Sequence, residues 1–127
     1  MIKLTGSEWS VLDCLWEESP QTVMQLVAKL GERMGWAKST TITTLRRMED
    51  KGLVHWEVVG RAKTYLPAVE QEEAEISETR SFLERVYRGS VGLMMSAMAQ
   101  RQELSSEEIA ELREILNKAE EGRRTDE

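Results

Sequence analysis

Within the first 69 residues, three short amphipathic stretches with helical start and stop signals run directly into a β-hairpin pattern. That order leaves few folds open. Thr5-Gly6-Ser7-Glu8 is a capping box, a hydroxyl at the N-cap with a carboxylate three residues on. Trp9, Leu12, Leu15 and Trp16 follow at helical spacing, and Ser19-Pro20 stops the helix near Glu18. Thr22 with Gln25 forms a second box. Val23, Leu26, Val27 and Leu30 give that helix an apolar stripe, and Gly31 and Gly35 loosen and then end it. A third helix is expected to start at Lys38 or Ser39, with Ile42, Leu45 and Met48 on its apolar side and Gly52 past its end. Leu53 to Val58 reads as a strand, Val59-Gly60-Arg61 as a turn, and Thr64-Tyr65-Leu66 as a returning strand stopped by Pro67. Three helices followed by a hairpin is the order of a winged helix-turn-helix.

From Glu70 the composition turns acidic and helical. Residues 70–101 read as one long helix, in which Gly89-Ser90 marks either a close helix approach in a dimer or a kink or break. Ser105-Ser106-Glu107-Glu108 is a third capping box and opens a last helix; residues 122–127 are expected to fray. The expected architecture is mainly α with a small β-hairpin. Residues 1–69 form a winged helix-turn-helix DNA-binding domain and residues 70–127 a helical dimerisation region. Two helices with one apolar stripe each need a partner surface. The residues expected to supply it are Phe82, Leu83, Val86, Tyr87, Leu93, Met94, Met98, Ile109, Leu112, Ile115 and Leu116.

The net charge of −6 is unhelpful for a DNA binder until the chain is divided. Residues 1–69 hold 9 Lys+Arg against 8 Asp+Glu, while residues 70–127 hold 8 against 15. Between Trp36 and Tyr65 there are 6 basic residues and 3 acidic ones. Phosphates respond to such local charge within a Debye length of about 10 Å.

Stepping the third helix at about 100° per residue puts Ile42, Leu45, Met48 and Glu49 on one side. The opposite side carries Ser39, Thr40, Thr43, Arg47 and Asp50, flanked by Thr44 and Arg46, with Lys38 at the start. Small hydroxylated side chains let a helix approach the major groove closely, and arginine can pair with phosphate or guanine. Arg61 and Lys63 sit at or beside the hairpin tip, where a wing meets the DNA backbone or minor groove, and Tyr65 can donate to a phosphate.

Other chemistry is thinly provisioned. The single Cys14 excludes an internal disulfide or a thiolate metal cluster within one chain, and it reads as a small buried hydrophobe rather than a redox sensor. His55 reads as a structural or solvent-facing strand residue rather than a pH sensor. Met94, Met95 and Met98 read as an apolar dimer seam rather than copper or haem ligands. Trp36, just before the third helix, reads as simple core packing rather than as a residue that seats that helix. No cofactor, metal site or catalytic constellation is expected, and the chain is not expected to be an enzyme. No transmembrane run or signal-peptide pattern is seen, so a cytoplasmic protein without membrane contact is expected.

Five ordered segments resemble the penicillinase and methicillin-resistance repressor family, BlaI/MecI, over about residues 4–118. LTGSEWSVLDCLW is similar to the opening helix of that family. WAKSTTITTLRRMEDKGLV is similar to its recognition helix, and GRAKTYLP to its wing. FLERVYRGSVGLM and LSSEEIAELREIL are similar to its dimerisation helices. The resemblance implies a homodimer on a palindromic operator of double-stranded DNA, often with TACA and TGTA half-sites, that represses by blocking polymerase. It also implies Ser39, Thr40, Thr43, Thr44 and Arg47 at the DNA, with Arg61 and Tyr65 from the wing. In the best-known branch a membrane sensor protease answers β-lactam and the repressor is cut at an Asn-Phe pair; the corresponding place here reads Ala97-Met98. The tail EEGRRTDE lacks the cysteines of a copper-responsive relative.

Two other functions fit the same element order. A MarR-like regulator gated by a small molecule would lose its operator on ligand binding, without cleavage. A winged helix serving only as a protein-interaction scaffold would lack the salt-dependent DNA affinity that phosphate contacts produce.

Overall fold

Helix α1 (Gly6–Glu17) begins at its capping box, in which Glu8 N donates to Thr5 Oγ1 at 3.2 Å and Thr5 N to Glu8 Oε1 at 2.8 Å. In the computed structural model, residues 3–126 are described, and side-chain burial is defined for residues 3–124. Val11, Leu12, Cys14 and Leu15 form the buried side of α1. After a two-residue strand β1 (Gln21–Thr22), the Thr22–Gln25 box opens α2 (Val23–Met34). Gly35, at φ 69°, ends it in the left-handed region where a side chain would strain the backbone.

Helix α3 (Lys38–Asp50) follows, with Leu53 N donating to Met48 O at 2.9 Å to reverse the chain into the hairpin. Strands β2 (Val54–Val59) and β3 (Ala62–Pro67) pair antiparallel across a Gly60-Arg61 tip. The short β1 was not foreseen. It adds to the other side of β3 through Gln21↔Tyr65 and Thr22↔Thr64, giving a three-stranded sheet in the order β1-β3-β2.

The chain divides into two compact units, Met1–Ser81 and Phe82–Glu127. The first has a closed core of α1, α2, α3 and sheet residues, including Leu12, Leu26, Leu30, Leu45, Met48, Val54 and Tyr65. Helix α4 (Gln71–Tyr87) starts in this unit. Ala74 is fully buried there, Trp16 Nε1 donates to Val69 O at 2.9 Å, and Leu4 N donates to Glu78 Oε1 at 3.0 Å. Trp36 packs against the same core.

The second unit holds the end of α4, then α5 (Val91–Gln100) and α6 (Ser106–Asp126). The single long helix expected over residues 70–101 is therefore broken. Arg88 and Gly89 take φ of 54° and 84°, Gly89 N donates to Leu83 O at 2.8 Å, and Ser90 caps α5 by accepting from Leu93 N. Of the two accounts of Gly89-Ser90, the break holds, because a helix stop and a new N-cap stand side by side. The Ser105–Glu108 box opens α6, as the spacing predicts. Residues 122–126, expected to fray, continue α6; Glu127 lies outside the described residues.

Candidate nucleic-acid interface

Helix α3 is seated in the core by four residues at i, i+3, i+4 and i+7, namely Thr41, Thr44, Leu45 and Met48. This rotates the helix slightly from the sequence reading, since Ile42 and Glu49 are only half-buried. Lys38, Ser39, Thr40, Thr43, Arg46, Arg47 and Asp50 are exposed, so the outward hydroxyl-and-arginine face exists. Thr44 is the exception. It is nearly buried and its hydroxyl donates to Thr40 O at 2.7 Å, so that hydroxyl is occupied by its own helix. Thr41 is 0% exposed and its Oγ1 has no hydrogen-bond partner among the described residues. The sequence reading missed its burial because a threonine occupies a core position usually held by an apolar residue.

The exposed face of α3 opens onto a groove of about 460 Å³ shared with the start of α1. Thr5, Ser7 and Glu8 line one side; Ser39, Thr40, Thr43, Thr44 and Arg47 line the other, with Lys51 at the end. Lys51 Nζ donates to Glu8 Oε2 at 2.7 Å, and the Glu8 side chain is almost fully buried. Burial pushes the Glu8 carboxyl upward. The hydrogen bond from Lys51, those from Thr5 and the Lys51 charge together outweigh it and hold Glu8 below the usual carboxylate range. One cation and one anion thereby pin the C-terminal end of α3 to the N-terminal turn of α1.

The wing meets the sequence reading unevenly. Arg61 is exposed at the tip. Tyr65, expected as a phosphate donor, is 6% exposed and packs in the core. Its strand, β3, is the middle one of three. Lys63 is exposed, and its amine lies 3.6 Å from Glu49 Oε1 and 4.7 Å from the centre of the Trp56 ring.

The expected dimerisation residues lie in the second unit. Phe82, Val86, Leu93, Ile109, Ile115 and Leu116 are exposed, Leu116 at 66%. Tyr87, Met94, Met98 and Leu112 are half-buried, and Leu83 is buried at 8% exposure. Phe82 and Tyr87 meet edge to face with centroids 6.0 Å apart. Cys14 is buried in the first unit, and burial raises its thiol above the ordinary range, only partly offset by Arg33. His55 is exposed on β2. Among the described residues no helix is long and apolar enough to cross a membrane.

The sequence model of the penicillinase repressor family matches residues 4–118. The penicillinase repressor of Bacillus licheniformis is 28% identical over 114 residues, covering 90% of this chain and 89% of the relative. The methicillin resistance regulatory protein MecI of Staphylococcus aureus (strain N315) is 24% identical over 116 residues, covering 91% and 94%. Among solved structures, the Bacillus licheniformis BlaI monomeric form in complex with the blaP half-operator is similar at a TM-score of 0.52 and 22% identity. That match covers 57% of this chain and 88% of that one, and shows a common winged-helix fold.

Proposed function

The chain belongs to the penicillinase repressor family, and on that premise we propose that it is a DNA-binding transcriptional repressor that reads its operator with α3. The observation that carries this reading is the exposed face of Ser39, Thr40, Thr43, Arg46 and Arg47 on a helix locked into the core by its opposite side. The face is short-chained near the helix axis and cationic at its margin, which suits a helix lying in a major groove. The solved relative bound to a half-operator supports the same use of this fold.

The finer reading is a homodimer on a palindrome, in the cytoplasm. Residues 1–69 carry the DNA contacts and residues 70–127 the pairing surface, with the first half of α4 anchored on the DNA-binding core. A two-fold dimer presents two copies of α3 to half-sites about 34–36 Å apart or a multiple of that. Coupling two heads raises operator affinity through effective concentration, so a signal that weakens pairing releases DNA. Proteolysis by a sensor is one such signal. Here Ala97 and Met98 lie inside α5, so a protease that binds extended chain has to unwind that helix first.

The test is a gel-shift titration of Arg47→Ala. Loss of a guanidinium at a base edge costs about 1–3 kcal/mol of operator affinity with folding unchanged. Unchanged affinity would remove Arg47 from the interface. A ligand that strips the wild-type protein from its operator without cleavage would instead support the small-molecule-gated reading.

A further inference from the structure

We propose that Lys63, which the sequence offers as a phosphate contact, is a positioning residue that clasps the wing to the recognition helix through Glu49. The proposal rests on the DNA-binding reading and concerns how the two reading elements are held at a fixed angle.

Three groups, one from each of three elements, converge on the Lys63 ammonium. Lys63 on β3 stands diagonal to Trp56 on β2, whose direct partner in the ladder is Tyr65. Its Nζ lies 4.7 Å from the Trp56 ring centre and 5.3 Å from that of Tyr65, within the range of cation–π attraction. From α3, Glu49 Oε1 approaches to 3.6 Å. That oxygen is shielded from solvent and accepts no hydrogen bond among the described residues, so the Lys63 ammonium is the charge it faces. Tyr65 first, and Glu49 after it, hold the amine above the ordinary lysine range.

The consequence is a division of labour along the wing. Arg61 at the tip is exposed and directed by nothing on α3, whereas Lys63 is turned back toward the helix that reads the groove. A lysine whose charge is matched by Glu49 adds little to the field at a phosphate. Its contribution comes through the wing angle. A partly exposed ion pair of this length is modest, so the expected effect is modest too.

The experiment measures operator affinity against salt for the full-length wild type, Lys63→Met, Glu49→Gln and Lys63→Arg, with circular dichroism as a folding control. Salt-dependent binding of the wild type tests the DNA-binding reading by itself. The clasp predicts that Lys63→Met and Glu49→Gln each weaken binding about three- to tenfold with the salt slope unchanged, and that Lys63→Arg restores most of it. A slope reduced by about 0.9 in Lys63→Met would make Lys63 a phosphate contact and overturn the proposal. Unchanged or tighter binding by Glu49→Gln would overturn it as well, because removing an anion beside DNA helps binding if charge alone matters. Amide hydrogen exchange on the free proteins needs no DNA. It should show faster exchange across β2 and β3 in both Lys63→Met and Glu49→Gln, and equal exchange in wild type and Glu49→Gln would count against the clasp.

Discussion

The two units of this chain are built from similar helical material and end in opposite states. In Met1–Ser81 the apolar residues of α1, α2, α3 and the sheet meet one another and close a core. In Phe82–Glu127 the large apolar side chains of α5 and α6 stay at least partly open to solvent, and α5 has no buried residue at all. The difference lies in arrangement more than in composition. Three helices and a sheet can enclose a centre, while helix segments with one stripe each cannot. The first unit is finished by its own sequence, while the second leaves apolar surface that a second copy would cover in the proposed dimer.

The largest effect separates the units by their response to truncation. Leu12→Ala should cost about 2–5 kcal/mol in denaturant unfolding, since it leaves a cavity in a closed core. A cost below about 1 kcal/mol would mean the first unit is looser than its burial implies. Leu116→Glu probes the other side of the contrast. It should leave the folding of the first unit alone and weaken pairing by about 2–3 kcal/mol, read by sedimentation equilibrium, because a carboxylate is then buried without a partner. An unaltered association constant would place the pairing surface elsewhere.

Next comes the ion pair inside the finished unit. Glu8→Gln should lower stability by about 1–2 kcal/mol near neutral pH. The native Glu8 carboxyl lies below its ordinary value of 4.5, so its contribution is complete above that value. It is lost as pH falls through the lowered native value, and the wild-type and Glu8→Gln stabilities should draw together on acidification. A gap constant with pH would show that the Lys51 contact is not the source. The smallest effect is a gain. Thr41→Val removes a buried hydroxyl with no hydrogen-bond partner among the described residues and should stabilise by about 1 kcal/mol or less; destabilisation would indicate a hydrogen bond to that hydroxyl.

What was legible in the sequence was local. The three capping boxes are each decided by residues three apart, and all of them form. The hairpin follows from turn residues beside β-branched and aromatic ones. What was not legible depended on distant partners or on residues out of character. Strand β1 is two residues long and exists only because β3 offers it an edge. That added strand makes β3 central, and Tyr65 on β3 belongs to the core. The seating of α3 follows an apolar spacing written partly in threonines, so Thr41 was overlooked and Thr44 was placed too far outward. The break at residues 88–90 was written in a glycine followed by a capping serine, but the apolar residues on both sides suggested continuity.

Footprinting the full-length protein on DNA upstream of its own gene tests both units at once. Two protected half-sites related by two-fold symmetry, with centres about 34–36 Å apart or a multiple of that, are the predicted result. They require α3 in the groove and a second copy completing Phe82–Glu127. A single asymmetric protected patch would contradict the pairing role of the second unit, and no protection at low salt would contradict the operator-reading role of the first.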